Sequence, residues 1–149
     1  MIHVKKILYP TDFSSYSNQA YFHAVALAAN HGASLTILFV HSPATGVPAD
    51  RDYWRKQLEQ IRPLDAQIPV HHVLLEGDPA AEIVRYAQDA WVDLIVMGTH
   101  GRTGMERQLM GSVAEKVLQD APCSVLVVKL PKGIPVAETS TVEIELTPA

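Results

Sequence analysis

Three glycines followed by a Gly-Ser pair carry the clearest chemical signal in this chain. The apolar run Leu94-Ile95-Val96-Met97 reads as a buried strand. It breaks on Gly98, Gly101 and Gly104, with two residues between each pair. Gly111-Ser112 comes next, and the pattern predicts that a helix opens there and runs from about Val113 to Gln119. The stretch from the strand to Ser112 is about a dozen residues long, where connections in compact α/β units usually take roughly 2–6. Glycine lets backbone N–H groups approach a ligand with no Cβ in the way. A helix start adds unpaired N–H groups and the positive end of the helix dipole. Together they suit an anion, above all a phosphate. A second explanation stays open: Ser112 and Glu115 have the spacing of a capping box, which needs no ligand.

Two better-known phosphate motifs do not fit. A P-loop carries a lysine before its serine or threonine, and none stands between Gly111 and Ser112. The dinucleotide fingerprint follows a first strand as Gly-x-Gly-x-x-Gly, whereas these glycines follow a late strand at a different spacing. The second candidate for chemistry is Asp12. Residues 3–9 read as a strand stopped by Pro10, and Thr11-Asp12-Phe13-Ser14-Ser15 is a polar loop at its carboxyl end. Open parallel sheets bind ligands beyond the carboxyl ends of their strands, where the strand order switches. Asp12 stands in that place. It is equally suited to capping a turn or the next helix.

The elements that must position these residues follow from periodicity. A helix is expected over 16–30, with Ala20, Ala24, Leu27 and Ala28 as its apolar stripe and Gly32 as a left-handed stop. Residues 34–40 are nearly continuously apolar, as befits a strand covered on both faces. His41 reads as the first polar residue of a loop over 41–50. A second helix over 51–62 shows Tyr53, Trp54, Gln57, Leu58 and Ile61 on one stripe. In the strand over 70–75, adjacent His71 and His72 point to opposite faces and cannot share a metal. Asp78 is an N-cap, Pro79 takes the first helical position, and Ala80, Ile83, Val84 and Ala87 face inward. After the strand over 93–97 and the glycine loop, Val113, Val117 and Leu118 face inward on the last helix. Residues 124–128 form strand five. Five strands alternating with four helices imply right-handed βαβ units and a parallel sheet.

Gly98, two residues, Gly101, nine residues, then Gly111-Ser112 resembles the nucleotide-binding signature of the universal stress protein family. The opening Ile7-Leu8-Tyr9-Pro10-Thr11-Asp12-Phe13-Ser14, the turn Gly77-Asp78-Pro79 and the final Pro122-Cys123-Ser124-Val125-Leu126-Val127-Val128 resemble it too. The resemblance runs in order over residues 3–130. It implies a single-domain, open, parallel five-stranded sheet of order 3-2-1-4-5 with helices on both faces, a Rossmann-like α/β fold. It implies a regulatory adenine nucleotide: ATP, or ADP or AMP. Pro10, Thr11 and Asp12 would flank adenine and ribose, and Val40 would offer backbone groups to the base. Met97 and Gly98 would lie at the ribose and the start of the phosphate chain. Gly101, Gly111, Ser112 and Val113 would cradle the phosphates, with His100 and Arg102 nearby. Magnesium would ride on the phosphates, because the loop lacks a carboxylate cluster to hold it alone. The alternatives are a slow ATP hydrolase and a ligand-free dimeric interaction module. For the first, no catalytic residue is assigned, since nothing in the sequence aims His100 or Glu106 at an attacking water. The family also implies a homodimer, and strand five, 124–128, is an apolar edge in need of cover.

Bulk properties bound the remaining choices. The 149 residues suit one domain with one sizeable core. A net charge of −4 with no basic stripe argues against nucleic acid. No run approaches the roughly 18–20 apolar residues of a membrane span, and the N-terminus does not read as a signal peptide. A cytoplasmic protein with an unidentified protein partner is expected. Cys123, the one cysteine, excludes an internal disulfide and reads as a packed residue. The domain is placed at 1–130. Residues 131–149 read as an extension, a linker with Pro131, Gly133 and Pro135 followed by Thr141–Leu146 alternating at strand period.

Overall fold

The apolar runs become the strands of one sheet, and the stretches between them become its helices. The computed structural model describes residues 3–43, 50–99 and 107–129. In chain order they form β1 (Lys6–Pro10), α1 (Ser15–His31), β2 (Ser34–His41), α2 (Arg51–Glu59), β3 (Val70–Glu76), α3 (Pro79–Asp89), β4 (Leu94–Gly98), α4 (Arg107–Asp120) and β5 (Ser124–Val128). The sheet order is 3-2-1-4-5, and every neighbouring pair is parallel.

Alternation along the strands sorts the core into two layers. Ile7, Tyr9, Leu35, Ile37 and Phe39 face one side, where Ala20, Ala24 and Ala28 of α1 and Trp54 and Leu58 of α2 cover them. Leu8, Leu38, Val40, Ile95 and Met97 face the other, under Ile83 and Ala87 of α3 and Ala114 and Val117 of α4. The small α1 residues let that helix lie close to the sheet. α1 starts on Ser14, whose hydroxyl accepts from the Ser17 N–H, and stops on Gly32 at φ 63. Asp78 caps α3 ahead of Pro79. Asp93 fastens the start of β1 to β4: its Oδ2 accepts the backbone N–H groups of Lys5 and Lys6, each at 2.9 Å.

Four local expectations are corrected. α4 begins at Arg107, so Ser112 and Glu115 lie inside the helix and form no capping box. Arg107, Gln108, Leu109 and Met110 are strong helix formers, and one interior glycine costs only ~1 kcal/mol, so the helix runs through Gly111. Leu118 is not inward but 51% exposed, and Tyr53 stands half in solvent beside the buried Trp54. His41 is not a loop residue but the last residue of β2, and it is buried.

Candidate functional site

β1 is the strand at which the connections change sides. α1 returns on one face of the sheet, while α3 and α4 lie on the other. The β1–β4 ladder runs from Ile7–Leu94 to Leu8–Ile95 and ends there. β1 itself continues to Pro10 and β4 to Gly98, the latter still paired with β5. Past Ile95 the two strands part, which opens a crevice at their carboxyl ends, where ligands bind in open α/β sheets.

The β2 side of the crevice follows from hydrogen bonding. The Thr11 N–H donates to the Leu38 carbonyl at 2.8 Å, so Leu38 turns its backbone toward β1. The His41 carbonyl accepts from Gly77 at 2.9 Å, so His41 turns toward β3. A strand's backbone groups alternate between its two neighbours. The N–H and C=O of Val40 therefore face the β1 side, beyond Pro10–Leu38, the last β1–β2 pair. A donor and an acceptor are thus presented side by side at the crevice, the pattern that a base edge matches.

The β1 loop completes this end. Thr11 is buried at 6% exposure. Its Oγ1 accepts from the Phe13 N–H and from Ser17 Oγ, each at 3.0 Å. The Tyr9 hydroxyl donates to the Ser17 carbonyl at 2.9 Å and lies 2.8 Å from Ser17 Oγ. Burial pushes the Tyr9 phenol up to about 12, against the opposing effect of its hydrogen bonds to Ser17 and Thr11. Half-buried Asp12 accepts the Ser14 N–H on Oδ1 at 3.0 Å. It closes a turn, while Ser14 caps the helix.

The structure brings Pro10, Thr11, Asp12, Val40, Met97 and Gly98 to the ends of three adjacent strands. Met97 points into the core, so what it offers the crevice is backbone. Gly111, Ser112 and Val113 lie in α4, past its first turn. Gly101, with His100, Arg102, Gly104 and Glu106, lies outside the described residues. Among the described residues nothing stands within 4 Å of where a Cβ on Gly111 would be, and no positive φ is required. Nothing among them demands glycine there, and alanine would favour the helix by ~1 kcal/mol. Among the described residues no group of three or more His, Cys, Asp or Glu side chains is placed to hold a metal. Cys123 is half-buried, and burial, then the nearby Asp93 charge, raises its thiol pKa. No helix among the described residues is long and apolar enough to cross a membrane.

Sequence reasoning missed two residues here. Phe13 has a left-handed backbone at φ 65, which nothing in a Phe codes for. His41 is 5% exposed, with no hydrogen-bond partner for either ring nitrogen among the described residues. It sits beside Trp54, ring centroids 6.2 Å apart. The one sequence signal for its burial was the apolar run that it ends.

Comparisons with known proteins agree with this fold. A family model described as the universal stress protein family matches residues 3–129. Universal stress protein MJ0531 of Methanocaldococcus jannaschii is 41% identical over 142 residues, covering 86% of this chain and 84% of that protein. The solved universal stress protein UspA from Lactobacillus plantarum superposes with a TM-score of 0.70 at 28% identity, covering 86% of this chain and 99% of that one. A universal stress protein solved in complex with cAMP shares the fold at a TM-score of 0.66 and 23% identity, covering 85% and 97% of the two chains.

Proposed function

This chain belongs to the universal stress protein family, and from that premise we propose that it binds an adenine nucleotide, ATP first among them, as a regulatory ligand in a stress response. The observation that carries the reading is the backbone of Val40. Its N–H and C=O face the crevice where β1 has left the ladder, and such a pair matches the donor and acceptor of an adenine edge. Asp12, with Pro10 and Thr11, stands across from it as the ribose contact. Met97 and Gly98 supply backbone at the end of β4. Gly101, Gly111, Ser112 and Val113 are the proposed phosphate contacts. Magnesium, if carried, is held by the phosphates. That another universal stress protein is solved with cAMP is a fact about that protein, and it is in keeping with an adenine ligand here.

Two further readings accompany the ligand. The exposed side chain of Leu126 lies on the edge strand β5, and we assign Ser124–Val128 as the contact of a homodimer. An ATP sensor works where ATP is, in the cytoplasm. Residues 131–149, outside the described residues, are kept as an extension to the domain at 1–130.

The test is calorimetric titration of nucleotide-stripped protein with magnesium and ATP, repeated with Gly111→Ala. The wild type binds. The added methyl enters the cradle and weakens binding about tenfold, the usual scale for one carbon too many in a fitted site. The same substitution raises helix stability by ~0.5–1 kcal/mol, so a higher melting temperature accompanies the lost affinity. A wild type that takes up no ATP, ADP or AMP overturns the reading. Undiminished binding by Gly111→Ala removes α4 from the site.

A further inference from the structure

Phe13 adjoins Asp12 and has φ 65. A bulky residue is seldom left-handed, because its Cβ crowds the backbone; glycine or asparagine takes that shape far more readily. Two hydrogen bonds shape the turn, Phe13 N–H to Thr11 Oγ1 and Ser14 N–H to Asp12 Oδ1, each 3.0 Å. Neither uses the Phe13 side chain, and both would form around a glycine. What sets Phe13 apart is where its ring goes. The ring lies 4.8 Å from that of Phe39, and 5.6 Å from that of Trp54, at only 17° to the indole plane. Phe39 and Trp54 are buried, 4.8 Å apart, in the core layer under α1 and α2. A ring anchored in the core thus holds a strained turn at the mouth of the crevice.

We propose that Phe13 is the positioning residue for the nucleoside end of the crevice: its ring, clamped by Trp54 and Phe39, holds the left-handed turn that keeps Asp12 at the carboxyl end of β1. The inference rests on the nucleotide reading above. Phe13 acts through Asp12 rather than on the ligand. It also makes the indole of Trp54 a near neighbour of the site, one ring removed from the loop that meets the nucleoside.

The experiment is a double-mutant cycle read by calorimetry with magnesium and ATP, using the full chain as wild type, Asp12→Ala, Phe13→Gly and both together. Glycine adopts the backbone without strain, so Phe13→Gly removes the clamp and leaves the conformation accessible. Each single change weakens binding about tenfold, and the double variant is weaker than either single by no more than about twofold, as expected of residues that act as one unit. Phe13→Tyr keeps the ring and restores wild-type binding. A merely structural defect would instead add to the loss at Asp12. A second measurement needs no change at Phe13. The chain has two tryptophans, so Trp91→Phe, at the exposed turn after α3, leaves Trp54 as the sole emitter. Adding ATP then changes its emission with the calorimetric midpoint. Binding by Phe13→Gly as tight as wild type, losses that multiply in the double variant, or a Trp54 emission blind to saturating ATP each overturn the proposal alone. A wild type that binds no adenine nucleotide overturns the nucleotide reading and this inference with it.

Discussion

At the scale of single residues, the Tyr9 hydroxyl is held inside the protein by Ser17 and next to Thr11. Its ordinary pKa is 10, and burial lifts it to about 12 in the fold. Below pH 10 the phenol is protonated in folded and unfolded chains alike, and its contribution to stability is complete. Between pH 10 and 12 the unfolded chain ionises while the folded one resists, so stability falls by about 1.4 kcal/mol per pH unit. Tyr9→Phe removes that loss. Denaturant titrations at pH 9 and pH 11 should show the wild type losing about 1 kcal/mol more than the variant. Equal losses would mean that the hydroxyl is not sequestered. Gly111 is the converse case: alanine there would strengthen α4, and under the proposed nucleotide reading the missing side chain is what would leave room for a phosphate.

At the scale of elements, α4 alters how an anion would be held. The first four N–H groups of a helix lack partners within it. With the helix starting at Arg107, those of Gly111 and Ser112 are spent on the helix itself. Under the nucleotide reading a phosphate there would draw on the space over Gly111 and the Ser112 side chain, and less on the Ser112 amide. Hydrogen exchange of the free protein tests this directly. The amides of Gly111 and Ser112 should be protected alongside those of Val117 and Leu118. Rapid exchange at both would return the helix start to Ser112 and restore the capping box. The β1 loop is built on the opposite plan: its hydroxyls and carboxylate bond locally to Thr11, Phe13, Ser14 and Ser17, and the loop is braced before any ligand arrives.

At the scale of the molecule, the strand order decides which residues meet. Pro10–Asp12 and Gly98 are far apart in the chain, and β1 lies beside β4 because the sheet reverses its growth at β1. The same order leaves β3 and β5 as the two edges. β3 carries His71 and His72, and the His72 ring donates from Nε2 to the Ile61 carbonyl at 2.8 Å. β5 is apolar, with Leu126 exposed, and apolar edges invite a second strand. If two copies pair there, Leu126→Lys should convert dimer to monomer in sedimentation at micromolar concentration while the melting of each chain changes by roughly 0.5 kcal/mol or less, as surface changes do. A wild type that sediments as a monomer at every concentration would count against the assignment.

The sequence by itself determined the kinds and order of the elements, because these depend on local periods: alanines at helical spacing in α1, nearly continuous apolar runs in β2 and β4, Asp78-Pro79 at a helix start. Its resemblance to one family supplied the sheet order, which no local period encodes. Only the tertiary structure decided the rest. It drew Phe13 into a left-handed turn, because packing its half-buried ring against Phe39 and Trp54 outweighs the local preference of its backbone. It buried His41, which looks like a loop residue until β3 and α2 close over it. It carried α4 back to Arg107, where good helix formers override one glycine. It turned the backbone of Val40 to the crevice, because that direction is set by which strand lies on each side and by where β1 departs.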